Sequence, residues 1–326
     1  MNNRGVEIAG FLAQKGWEGA EQIPFDADFS PRRYARLLRD DNRRAVLMDA
    51  DRDQKTDEFV LLDELLRKLQ ISAPEIYAAS PAQGLVLMED LGGKNIGNLI
   101  DAGGDKEAIY MRAVDVLIHI HKTCDVKDVK ALDMPIFGAA LFASQVELFL
   151  DAYIPYTRER EATHDEAESF RDAWRRALKG IDNLPQSLML RDFMPDNLMD
   201  LPERKDFRSL GVLDFQDGGI GPVAYDLASL CEEVRRDGGG KMLPDVIAYY
   251  HKKAGTVLLL EELTNACAVL SAQRHMRILG IVASHAQRTG RQDKLAYVPR
   301  VKNYLRKLLQ NEALKPVRDW VEKEGL

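Results

Sequence analysis

The sequence predicts an α+β chain of two lobes: a small N-terminal lobe of sheet and helix over residues 1–91, and a larger, mainly helical lobe over residues 92–326. Three observations lead there. Short apolar runs bounded by turn residues crowd the first ninety positions. Beyond them, apolar residues recur at helical spacing in one segment after another. Between the two regimes lies Asp90-Leu91-Gly92-Gly93, an acidic turn followed by paired glycines.

Val6 to about Lys15 reads as a short helix stopped at Gly16. The charged segment Phe25 to Arg36 leads to Ala45-Val46-Leu47-Met48, a strand, and Asp40-Asp41-Asn42 before it suits a hairpin turn. Phe59, Leu62, Leu66 and Leu69 define an amphipathic helix from Thr56 to Leu69, ended by Ser72-Ala73-Pro74. Glu75 to Ala79 and Gly84 to Met88 are strands joined by Ser80-Pro81-Ala82-Gln83. In the second lobe, Glu107 to Lys122 places Ile109, Ala113, Val116, Leu117 and Ile120 on one side. Helices are likewise expected over Phe142 to Tyr153, Glu166 to Leu178, Pro222 to Arg236, Leu243 to Ala254, Leu260 to Thr289 and Pro299 to Asn311. Ser187 to Leu190 and Leu210 to Leu213 break the pattern as two strand-like runs flanking a loop.

The totals narrow the function. With 45 basic and 52 acidic side chains the net charge is −7, which argues against a nucleic-acid partner. No run approaches the roughly 18 apolar residues of a membrane span, so no membrane partner is expected. The opening residues lack the pattern of a signal peptide. Cys124, Cys231 and Cys267 are scattered and lack metal-ligand spacing, as in a cytoplasmic protein with reduced thiols. His119 and His121, two apart on a helix, point to different sides and do not make a metal pair.

The chemistry concentrates in Leu190-Arg191-Asp192-Phe193-Met194-Pro195-Asp196-Asn197 and, seventeen residues after Asn197, Asp214-Phe215-Gln216-Asp217. Phosphoryl transfer from ATP needs a carboxylate that accepts a hydroxyl proton, and a carboxamide and second carboxylate that hold magnesium on the phosphates. Asp192 follows an apolar strand end and suits the first role. Asn197 and Asp214 suit the others, since Mg2+ takes one or two carboxylates and completes its shell with phosphate oxygens and water.

Leu190 to Asn197, Gly211 to Asp217 and Gly221 to Leu230 together resemble the aminoglycoside phosphotransferase and choline kinase superfamily. That resemblance implies a protein-kinase-like bilobal fold, with a small antiparallel-sheet lobe that binds nucleotide and a larger lobe for catalysis and acceptor binding. It implies Asp192 as catalytic base, Asn197 and Asp214 as magnesium ligands, and Asp226 as a support for the catalytic loop. Arg191 and Asp217 are expected beside these as supporting or substrate-facing groups. Glu89 and Leu91 fall at the interlobe hinge, where the backbone meets adenine. Within the superfamily, Asp214 to Asp217, Ala224 to Leu230, Arg235-Arg236-Asp237 and Gln273-Arg274-His275 are similar to the bacterial anomeric amino-sugar kinases of peptidoglycan recycling. Asp28 to Tyr34 and Val46 to Ala50 extend that likeness. The branch implies a small-molecule acceptor phosphorylated on C1 of N-acetylmuramate or N-acetylglucosamine. Alternatives are an acceptor of aminoglycoside, choline or homoserine type, or a silent nucleotide-binding module.

The chain departs from the pattern in places. Met48 stands where such kinases carry a strand lysine, and neither Glu58 nor Glu64 is a convincing partner for one. Losing both halves of that pair is coherent, because a lone buried charge is costly. A phosphate cation is then expected among Arg32, Arg33 and Arg36, with Arg33 the first choice. There is no glycine-rich nucleotide loop. Leu190-Arg191 replaces the usual His-Gly before the base, and Met194 stands where the branch has histidine. The segments expected to wall the acceptor cleft carry both signs: Glu147 and Asp151, then Arg235, Arg236 and Arg274.

Overall fold

A computed structural model describes residues 3–25, 32–51, 55–236 and 238–326. Asp28, Phe29, Ser30, Pro31 and Asp237, which contribute to the family resemblance, lie outside the described residues. Contacts divide the chain into two units, Met1–Gly104 with Asp196–Gly218, and Asp105–Pro195 with Gly219–Leu326.

The first unit opens with α1 (Asn3–Gln14), β1 (Glu21–Pro24), β2 (Arg33–Leu38), β3 (Arg44–Asp49), α2 (Thr56–Lys68), β4 (Ile76–Ser80), β5 (Leu85–Met88) and α3 (Ile96–Asp101). The strands form an antiparallel sheet of order β1-β2-β3-β5-β4. Leu37, Ala45, Leu47, Leu85 and Leu87 project from one face of it onto Phe11, Leu12 and Trp17. Sequence periodicity missed β2 because its arginines find carboxylate partners and keep the strand polar outside the core. The register sets Tyr34 opposite the buried Met48 and Arg33 opposite Asp49. Asn95 caps α3 by accepting the Asn98 amide.

The second unit begins with α4 (Lys106–Thr123), α5 (Val126–Lys130), α6 (Ala139–Leu148), α7 (Ile154–Arg158), α8 (His164–Ala177) and β6 (Gln186–Met189). Residues 196–218 rejoin the first unit as a hairpin of β7 (Leu198–Asp200) and β8 (Leu210–Val212). Gly211 packs closely there: a Cβ would fall 2.7 Å from Leu91 Cδ1, in the apolar cluster of Leu91, Met199 and Leu201, and the Leu91 side chain would have to shift. The second unit resumes with β9 (Gly219–Pro222), α9 (Ala224–Cys231), α10 (Leu243–Ala254), α11 (Leu260–Thr289), α12 (Val298–Leu308) and α13 (Lys315–Glu324).

The helix expected over Pro222 to Arg236 is thus divided. Its first residue closes β9, which pairs with β6, and α9 stops at Cys231. Likewise the segment expected as one helix over Phe142 to Tyr153 passes from α-helix into a wider π-turn at Phe149–Tyr153. That turn presents Phe149 to Phe170 at 5.8 Å with the rings 8° from parallel. The 30-residue α11 runs against α6, α9, α10 and α12. It approaches α6 so closely that a Cβ on Gly280 would lie 2.5 Å from the Leu148 carbonyl oxygen. Among the described residues no helix is long and apolar enough to cross a membrane, and the three cysteines are free thiols.

Candidate active site

β6 delivers the chain into a sharp bend. The Asp192 amide donates to the Leu190 carbonyl oxygen at 2.8 Å, and Arg191 between them takes φ +72°. This is a three-residue turn in the left-handed region, a costly conformation for a non-glycine residue. α9 holds it. The Asp226 carboxylate, 1% exposed, accepts the Leu190 amide at 2.6 Å and the Arg191 amide at 2.8 Å, one on each oxygen. One turn along α9, Ser229 Oγ donates to the Arg191 carbonyl oxygen at 3.2 Å. The Arg191 guanidinium lies over the Phe137 ring, 5.4 Å from its centre. Burial pushes the Asp226 carboxyl up to about 7, against the pull of the two amides, and the Asp192 charge adds to the rise.

Asp192 itself keeps 35% of its side chain exposed, and one oxygen lies 3.7 Å from the guanidinium of Arg274, a buried α11 residue. Thus Arg191, Asp192 and Asp226 come together in the second unit, with Arg274 beside them. The sequence reading missed Ser229, whose small hydroxyl carries no pattern of its own.

Asn197, Asp214 and Asp217 gather in the first unit. The Leu213 amide donates to the Asn197 carbonyl at 2.9 Å, which fixes Asn197 beside the end of β8. The Asn197 carboxamide nitrogen is 3.5 Å from Asp214 Oδ2, and Gln216 Nε2 donates to Asp214 Oδ1 at 2.7 Å. Asp214 has φ +59°, and the buried Phe215 behind it stacks on Phe59 of α2 at 4.9 Å. A carboxylate and a carboxamide side by side offer the hard oxygen donors that magnesium takes, so these residues fit the ion. Asp217 pairs at 2.7 Å with Lys55, the residue before α2 and a partner the sequence reading did not find.

The three arginines before β3 separate. Arg33 pairs with Asp49 at 2.9 Å, where Arg4 of α1 also binds, and reaches Asp51 at 3.7 Å. Arg36 forks onto Asp90 at 2.7 and 3.1 Å and donates to the Gly92 carbonyl. Arg32 is buried and bonds the Tyr34 phenol, which burial and, secondarily, the Asp214 charge push up to about 12. Glu89 is engaged by Arg204 at 2.6 Å, and Leu91 packs with Met199 and Leu201.

Of the residues expected to wall the acceptor cleft, Glu147 is taken up by Arg171 at 2.9 Å. Arg235 reaches Met194 Sδ at 3.2 Å, and Arg236 lies 3.7 Å from Glu233. Behind this stretch is a cavity of about 670 Å3 lined by Glu232, Lys241, Leu243, Ile247, Arg300 and Tyr304.

A carboxylate on a braced bend, followed along the chain by an Asn–Asp pair that flanks a hairpin, fits enzymes that move phosphoryl groups on a protein-kinase-like fold. A model of the phosphotransferase enzyme family matches residues 21–260, and the chain belongs to that family. It is 31% identical over 304 residues to a Pseudomonas aeruginosa protein named N-acetylmuramate/N-acetylglucosamine kinase, covering 90% of this chain and 86% of that one. A Caulobacter vibrioides protein of the same name is 26% identical and covers 99% of this chain and 97% of its own length. Among solved structures, the gentamicin–APH(2")-IIa complex superposes with a TM-score of 0.65 at 17% identity, covering 96% of this chain and 99% of that one.

Proposed function

We propose that this enzyme transfers the γ-phosphoryl group of ATP to the anomeric C1 hydroxyl of N-acetylmuramate and N-acetylglucosamine, in the recycling of cell-wall sugars. The observation that carries the reading is the near full-length similarity to two proteins of that name. In it, Asp192 orients the hydroxyl and takes its proton, while Asp226 and Ser229 hold the bend that carries Asp192. Asn197 and Asp214 would hold magnesium, which when bound would supply positive charge against the phosphates of ATP. The backbone at Glu89 and Leu91 meets the adenine. Dependence on ATP and three free thiols suit the cytoplasm.

Arg32 is the residue we assign to the phosphates in place of the absent strand lysine. Side chains alternate along β2, so Arg32 and Tyr34 share the face towards Asp214, while Arg33 turns to Asp49 and α1. Charge-assisted hydrogen bonds contribute about 1.5–3 kcal/mol, so Arg32→Ala should raise the KM for ATP about 10- to 100-fold. Arg33→Ala should leave it nearly unchanged, and the reverse order would give the role to Arg33.

The activity is tested by magnesium-dependent ADP release with N-acetylmuramate, N-acetylglucosamine, choline, homoserine and kanamycin. Turnover of the two amino sugars is expected. Turnover confined to another acceptor would reassign the substrate, and ATP binding without any turnover would make the chain a silent nucleotide-binding module.

A further inference from the structure

Three consecutive polar residues of α11 are buried: Gln273 is 0% exposed, Arg274 7% and His275 0%. Successive residues of an α-helix point about 100° apart, so each of the three meets a different neighbour. Gln273 Nε2 donates to the Phe142 carbonyl oxygen of α6 at 2.9 Å. His275 Nε2 bonds the carboxylate of Glu232, in the stretch after α9, at 3.0 Å, and Ser271 Oγ donates to the same oxygen. The Tyr304 ring of α12 stacks on the His275 imidazole at 5.1 Å, 11° from parallel. These contacts fix the roll of α11, and Arg274 between them is held towards the catalytic bend, 3.7 Å from Asp192.

A guanidinium is costly to bury unless its charge is used. At 3.7 Å Asp192 balances that charge, yet it lies beyond the roughly 2.7–2.9 Å of a charge-assisted hydrogen bond. Among the described residues the Arg274 side chain donates a hydrogen bond to no group. The Asp192 side chain is 35% exposed, so the pair borders space that an acceptor can enter.

The proposed reaction changes the charges around this pair. The C1 hydroxyl passes its proton to Asp192, the C1 oxygen bonds to the γ-phosphorus, and the bond from that phosphorus to the bridging oxygen breaks as ADP departs with its electron pair. Asp192 ends neutral, and the oxygen beside it ends in a phosphate ester. A general base lies within about 2.6–3.2 Å of the oxygen it deprotonates, so the new phosphate forms beside Asp192 and within reach of Arg274. The guanidinium loses the carboxylate at 3.7 Å as negative charge arrives on the acceptor.

We infer that Arg274 is a catalytic residue of the proposed reaction, on which this assignment rests: it exchanges its pairing with Asp192 for hydrogen bonds to the transferred phosphoryl group. A guanidinium matches phosphate in a two-pronged contact, and a preorganised donor aimed where charge develops accelerates such a step. The neutral C1 hydroxyl of the free acceptor brings no charge to Arg274, so the contact belongs to the transition state and the product.

The test is steady-state kinetics of the full chain with N-acetylglucosamine, a neutral acceptor, and inhibition by N-acetylglucosamine 1-phosphate, for the wild type, Arg274→Gln and Arg274→Lys. Arg274→Gln should lower kcat and raise the inhibition constant of the 1-phosphate, each about 10- to 150-fold, the range for loss of a charge-assisted contact. The KM for N-acetylglucosamine should stay nearly unchanged. Arg274→Lys keeps the charge and should show smaller losses in the same two quantities. A titration of ATP binding checks that each variant is folded, and the lysine variant carries the comparison if the glutamine variant is not. A fall in kcat with an unchanged inhibition constant would confine Arg274 to holding Asp192 and overturn its contact with the phosphoryl group. Equal losses for acceptor and product, or an unchanged kcat, would overturn it as well. Each of these results leaves the sugar-kinase reading standing, whereas a wild type that turns over neither amino sugar overturns both.

Discussion

Asp192→Asn should lower kcat by about 10²- to 10⁴-fold, the usual contribution of a positioned general base, while ATP still binds. Asparagine keeps the shape of the side chain and cannot take a proton. The bend beneath it should survive, because it is held through the amides of Leu190 and Arg191 and the carbonyl of Arg191. Loss of the Asp192 charge also removes the anionic neighbour of Arg274, 3.7 Å away. Arg274→Gln separates the two effects: it keeps the base and should reduce kcat less than Asp192→Asn. ADP release at saturating sugar, with a parallel titration of ATP binding, reads the outcome. Full activity in Asp192→Asn would remove it as the base.

Asp226→Asn is the second large effect. Both carboxylate oxygens of Asp226 are in use, one on each amide of the bend. An asparagine has only one acceptor oxygen, so one buried amide would face an NH2 group, at a cost of about 1–3 kcal/mol. The left-handed Arg191 would lose the brace that offsets its strain, and kcat should fall by about 5- to 160-fold, by conversion of that cost. The pH profile gives a sharper signature. Burial raises the Asp226 carboxyl from its ordinary 3.8 to about 7. Because the folded value lies above the unfolded one, ionisation of Asp226 opposes folding as pH rises from about 4 to 7, and protonation favours it. Activity should run the other way, since the ionised form is the one that accepts both amides. The wild type should therefore lose kcat as pH falls through about 7 without any loss of thermal stability from this group. Asp226→Asn should lose that limb of the profile. An unaltered limb would assign it to another group.

The fold class was legible because the change from short apolar runs to helical periodicity is coarse and survives local exceptions. The failures have specific causes. β2 hides because Arg33 and Arg36 answer carboxylates on neighbouring elements, and no local pattern announces a partner on another strand. β9 hides because Gly219 to Pro222 carries little apolar signal and is fixed by its pairing with β6. Residue type and spacing singled out Asp192, Asn197 and Asp214 for phosphotransfer, and the family resemblance alone pointed to Asp226 as a support for the bend. The left-handed Arg191, the Ser229 contact, the Lys55–Asp217 pair and the seating of Arg235 on Met194 depend on how the chain folds back on itself.

The pairing of β2 with β3 makes the length of one hairpin a functional quantity. The turn from Arg39 to Arg43 closes with the Arg39 amide donating a hydrogen bond to the Arg43 carbonyl oxygen, and sets Tyr34 against Met48. Inserting or deleting a single residue there would slip β2 by one position, and every side chain on it would exchange faces. Arg33 would then stand on the side of Asp214, and Arg32 would be turned towards α1. A one-residue indel, nearly invisible in composition and charge, would exchange which arginine faces Asp214 and undo the core contact of Leu37 in the same stroke.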